Sequence, residues 1–153
     1  MSTVGQALTN LKDLFAGVFD PADLTVEFGP RAQFTITGGR LRIGNVEGES
    51  EPEAMGTTRP MKEAYDVECI ISLTRNTDVG DQEAVTRQVL DWVDVAELAV
   101  RASPDQTIGV AGVRWAVVMG RWDLKQHPAS ETGGPISSSF TFRVHVEANY
   151  RLT

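Results

Sequence analysis

The chain has 153 residues, 41% of them hydrophobic and 23% charged, which fits one globular domain and excludes a fibrous or wholly disordered chain. Its 21 acidic residues outnumber its 14 basic ones, for a net charge of -7. With no strong basic cluster to offset that balance, gripping nucleic acid through its phosphates is not expected.

The first segment reads as an amphipathic helix. Val4, Ala7, Leu8, Leu11, Leu14, Phe15 and Val18 share about one third of a helical wheel, with Gln6, Thr9, Asn10 and Asp13 opposite. Ser2 or Thr3 can cap its start, and Asp20-Pro21 ends it, since the residue before proline is pushed off helical angles. Leu24–Phe28 is a short alternating strand. A turn at Gly29-Pro30, a second short run at Phe34–Thr37 and a break at Gly38-Gly39 follow. Leu41–Val46 is a further extended piece.

Residues 47–60 change character. Glu47, Glu49, Glu51 and Glu53 fall within seven residues that hold no lysine or arginine. Neutralising these four would take the net charge from -7 to -3. The segment is expected to be a mobile acidic arm or a long hairpin connection. It is either a solubilising loop or an arm that reaches a neighbouring subunit or lines a channel.

Val67, Cys69, Ile71 and Leu73 alternate with polar residues as in a half-buried strand. After a turn-rich link, with Asp78 or Asp81 as a possible cap, a helix is predicted from about Asp81 to Ala102. Val85, Val89, Trp92, Val93, Ala96, Ala99 and Val100 form its apolar face. Glu83–Arg87 and Glu97–Arg101 are opposite-charge pairs one turn apart. Ser103-Pro104 terminates it. Two long strands are expected last, Val113–Trp122 and Phe140–Leu152, joined by a polar loop over 125–138 and paired as a long antiparallel hairpin. The predicted fold class is therefore α+β: a single domain over 1–153, an antiparallel sheet with two helices packed on one face, and a long C-terminal β-hairpin.

Catalytic arrangements are largely missing from the sequence. No glycine-rich loop precedes Lys-Ser or Lys-Thr, and Gly109-Val110-Ala111-Gly112 reads as a turn into a strand. His127 and His145 have no metal-ligand spacing and read as solvated. Ser137-Ser138-Ser139 lies in no nucleophile elbow. Cys69 is the single cysteine, so an internal disulfide is excluded, and its place on an apolar strand face marks it as a small buried hydrophobe. Asp91, Asp94 and Glu97 read as a solvated face partnered by Arg87 and Arg101. Trp92 and Trp115 are expected in the core and Trp122 near a strand end. No catalytic residue, metal or cofactor is expected. The N-terminus lacks the basic start and apolar core of a secretory signal, so a reducing cytosolic setting is expected. No apolar run approaches the roughly 20 residues of a membrane-spanning helix.

Leu90, Val95 and Leu98 project among the charged residues of the second helix. They are either a subunit contact or ordinary exposed residues.

In order and spacing the chain resembles the tail terminator (tail completion) proteins of long-tailed bacteriophages, particularly those infecting actinobacteria. The resemblance spans nearly the whole chain. It is carried by the helix Val4–Phe19, the strand Leu24–Phe28, and Arg40-Leu41-Arg42-Ile43-Gly44 leading into the Glu/Gly-rich stretch. It continues through Arg59-Pro60-Met61-Lys62-Glu63-Ala64-Tyr65-Asp66-Val67, the helix Ala84–Ala102, Ile108-Gly109-Val110 and the ending Asn149-Tyr150-Arg151-Leu152.

The resemblance implies a virion structural protein rather than an enzyme, assembled in the host cytoplasm. Such proteins form a ring, usually a hexamer, on the head-proximal end of the tail tube. The ring stops tube polymerisation and docks to the head-tail connector, while double-stranded DNA passes through its lumen without sequence-specific binding. The implied partners are further copies of the chain, the tail tube protein and the connector, with no membrane. In a ring, Leu90, Val95 and Leu98 would lie at a subunit interface, and Glu47, Glu49, Glu51 and Glu53 at the lumen or an axial surface. The alternatives are another neck or tail-tube component, or a small-molecule-binding α+β domain with Trp92, Trp115 and Trp122 near its pocket.

Overall fold

The computed structural model describes residues 2–29, 38–52, 60–76, 82–128 and 134–151. Its elements are α1 (Val4–Val18), β1 (Leu24–Phe28), β2 (Gly38–Pro52), β3 (Pro60–Asn76), α2 (Gln82–Arg101), β4 (Val113–Val118), β5 (Asp123–His127) and β6 (Pro135–Arg151). A short 3-10 turn, Pro104–Gln106, follows α2.

The strands form one six-stranded sheet in the order β1-β2-β3-β6-β4, with β5 also paired to β6. The class is α+β, as the sequence predicts. All pairings are antiparallel except β1 with β2, which is parallel. The long axis of the sheet is the β3–β6 pair, in register from Pro60 opposite Arg151 to Asn76 opposite Pro135.

Strict alternation decides what the sheet buries. Tyr65, Val67, Cys69, Ile71 and Leu73 of β3 and Ile136, Phe142, Val144, Val146 and Ala148 of β6 face one way. They meet Ala7, Leu11 and Phe15 of α1 and Val85, Val89, Val93, Ala96 and Val100 of α2 in one core. Both helices therefore lie on one face, and the other face carries no helix among the described residues.

Several segments differ from the sequence expectation. The run that Gly38-Gly39 is expected to break lies outside the described residues, but both glycines belong to β2 with Leu41–Val46, and Gly39 has a packing role. It is buried in β2, where a Cβ would sit 2.5 Å from the Trp92 ring and from the Asp23 carbonyl. The missing side chain is what lets Trp92 of α2 close onto the sheet.

The acidic segment is not an arm as far as Pro52. Glu47 to Pro52 are strand, matched residue for residue with Met61 to Asp66 of β3. The fifteen-residue β2 thus continues past the apolar run through Glu47 to Pro52, because the ladder to β3 is satisfied by backbone groups whatever the side chains. Glu53 and the rest of the expected connection to 59 lie outside the described residues.

The expected strand Val113–Trp122 ends at Val118. Gly120 takes φ +88°, which turns the chain out before it re-enters the sheet at Asp123. The expected polar loop over 125–138 is narrower. Lys125 to His127 belong to β5 and Pro135 to Ser138 to β6, while 129–133 lie outside the described residues. Also outside are Pro30, the run Phe34–Thr37, and the caps Asp78 and Asp81.

Candidate functional site

The open face of the sheet is where charged residues gather. Directly paired strand residues share a face. Glu47 stands opposite Asp66, Glu49 opposite Ala64 and Glu51 opposite Lys62, while Asp66 stands opposite His145 of β6. Since Val144 and Val146 point into the core, His145, Arg143 and Glu147 point away from it. Glu47, Glu49, Glu51, Asp66, Glu68 and Glu147 thus share one uncovered surface. Lys62, Arg42 and Arg143 interrupt it, as does Arg114, which lies beside Glu49, Glu51 and Glu147.

Its centre is ordered by His145. The Nδ1 atom lies 2.8 Å from Asp66 Oδ1, and Nε2 lies 3.4 Å from Glu147 Oε1. The imidazole also sits 5.1 Å from the Trp115 ring. His145 is therefore not the solvated histidine that the sequence suggests, because Asp66 reaches it from β3. Trp115 is likewise not a core residue. The register shift between Val113 and Trp115 moves it to the open face beside His145.

Toward β5 the open face becomes a groove lined by Glu68, Ile70, Arg121, Trp122, Asp123, Lys125, Thr141 and Arg143. Trp122 is 64% exposed and stacks on Phe140 at 5.5 Å with ring planes 10° apart. The Arg143 guanidinium donates to the Arg121 carbonyl at 3.3 Å, which holds the turn of the chain against β6.

The expected interface residues are placed less compactly. Leu90, Val95 and Leu98 are 37%, 39% and 61% exposed on α2. At about 100° per residue, Leu90 and Val95 lie about 140° apart around the axis, with Leu98 between them. They form a dispersed surface and not a stripe. Asp91 and Asp94 are exposed on the same side, and the expected i, i+4 pairs form as Arg87–Glu83 at 2.6 Å and Arg101–Glu97 at 2.8 Å.

Two polar anchors are absent from the sequence reading. Glu63, only 4% exposed on the helix side of β3, takes hydrogen bonds from Ser2 and Thr3 at the start of α1. At the other end, Ser138 is fully buried and bonds to Gln82 Nε2 and Thr86 Oγ1, both at 2.7 Å, pinning the start of α2 to β6.

Cys69 is fully buried, and burial pushes its thiol pKa well up, so it has no thiolate to offer at neutral pH. Among the described residues no group of three or more His, Cys, Asp and Glu is arranged to hold a metal ion. Among them, too, no helix is long and apolar enough to cross a membrane. No protein-family model matches this chain, and no curated protein matches it.

Proposed function

We propose that the chain is a virion structural protein, the subunit of a ring that caps the head-proximal end of a bacteriophage tail tube. The observation that carries this reading is the open sheet face, with six carboxylates on one uncovered surface. A ring subunit needs a wall past which DNA slides without sticking, and an acidic wall repels phosphate. Glu47, Glu49 and Glu51 would then face the lumen or an axial surface. A sheet with one face packed by helices and the other charged suits a wall better than a cleft does.

In this role the ring ends tube growth and presents a docking surface to the head-tail connector. The exposed Leu90, Val95 and Leu98 of α2, on the far side of the helix layer, are available to a neighbouring copy in the ring. Virions assembled without the chain test the reading. Tubes of unregulated length, without heads, are expected. Normal tails joined to heads would overturn it.

A further inference from the structure

The outer edges of β1 and β4, the distal half of β2 and the outer edge of β5 have no ladder partner among the described residues, and the last two lie on opposite sides of the sheet. β1 covers β2 only from Gly39 to Ile43, so Val46 to Pro52 pair with β3 alone. On the far side, β5 pairs with β6 and no described strand flanks its other edge. Open edges are templates for another strand, and proteins that leave them open must control what binds there.

The two edges differ in charge. Glu47, Glu49 and Glu51 are all exposed along the first. Two such edges meeting would set glutamate against glutamate, and like charges directly opposite are destabilising. Along the second edge lie Arg121, Asp123 and Lys125, with Arg143 one strand further in on β6. Asp123 and Lys125 pair with each other at 3.7 Å in an exposed contact, which leaves Lys125 free donors for a further carboxylate. Trp122 adds an exposed apolar surface of the kind that anchors an interface.

We propose that the Val46–Pro52 edge of one copy adds as a strand to the Asp123–His127 edge of a second copy, its glutamates set against Arg121 and Lys125. Backbone hydrogen bonds supply the attachment and the opposed charges select the partner edge. The contact uses two different patches, so it is heterologous and repeats around an axis. In the register that sets Glu47, Glu49 and Glu51 beside Lys125, the open faces of successive copies lie on one side, which makes the acidic surface continuous. The inference rests on the reading of the chain as a ring subunit.

A charge-swap experiment on the full-length protein tests it. One variant carries E47K, E49K and E51K, the other R121E and K125E. All five side chains are exposed, and thermal melts check that each variant folds. By light scattering after gel filtration, the wild type is expected to self-associate. Each variant alone should do so at least tenfold more weakly, and an equimolar mixture should recover assembly, because each supplies the edge the other lacks. Wild type that stays monomeric at roughly 1 mM, the weak end of specific association, overturns the proposal. So does self-association that neither variant weakens, or a mixture that fails to recover. If the swap behaves as expected but virions assemble normally without the chain, the edge contact stands and the tail role falls. If tails need the chain but the swap changes nothing, the role stands and the edge contact falls.

Discussion

The carboxylate of Glu63 accepts the backbone N–H of Thr3 at 2.6 Å and the hydroxyls of Ser2 and Thr3, tying β3 to the first turn of α1. The free N–H groups of a helix start favour a negative charge, so a single buried glutamate both caps the helix and fixes where it lies. Replacing Glu63 by Ala leaves the Thr3 N–H buried without its acceptor. A loss of about 2–3 kcal/mol is expected in denaturant unfolding. Hydrogen exchange should quicken first at the start of α1. An unchanged unfolding midpoint would show that the anchor contributes nothing.

Tyr65 gives an alkaline signature. Its hydroxyl lies 3.0 Å from Thr3 Oγ1, and burial, opposed by that hydrogen bond and aided by the Glu63 charge, raises its pKa from 10.0 to about 12. A raised folded pKa contributes stability that is complete below pH 10 and is lost as pH climbs through 12. The loss at the top of that window is about 2–3 kcal/mol for a two-unit shift. Unfolding free energies of wild type and Tyr65→Phe should converge between pH 10 and 12, with the wild type falling faster. Parallel curves would contradict the assignment.

Cys69 should ignore a thiol reagent such as DTNB in the folded protein at pH 8 and react with one equivalent after denaturation. Its burial and raised pKa leave neither access nor thiolate. Rapid labelling of the native chain would mean that the β3 core opens readily.

Gly39→Ala should be costly despite its small volume. The new methyl would meet the Trp92 ring and the Asp23 carbonyl at 2.5 Å, so α2 must shift or the strand must move. Destabilisation of about 1–3 kcal/mol is expected. It should come with a change in tryptophan fluorescence, since Trp92 is the displaced group. A neutral substitution with an unaltered spectrum would show that the packing is looser than described.

Much of the fold is legible because alternation and helical periodicity record burial directly. The apolar faces of α1 and α2 and the inward residues of β3 and β6 can be read from spacing alone. The acidic half of β2 cannot. Its composition argues for an arm, but the β3 ladder beside it supplies backbone partners that composition does not record. The break in the expected strand at Gly120 depends on one positive φ, which a glycine permits without requiring. The open-face site was half visible: Arg143, His145 and Glu147 plainly share a side of β6. That Asp66 completes it depends on the register between strands 79 residues apart. Glu63 was hidden for a related reason, since an acidic residue on a core face makes sense only once α1 is placed above it. Leu90, Val95 and Leu98 stood out correctly as exposed, and spacing shows that they spread around the helix.

The most direct measurement of the central claim is electron microscopy of the purified, concentrated protein, with its mass checked by native mass spectrometry. Closed rings with an open centre, at one stoichiometry and without longer polymers, are expected. Single globules at every concentration, or open filaments that never close, would contradict the account.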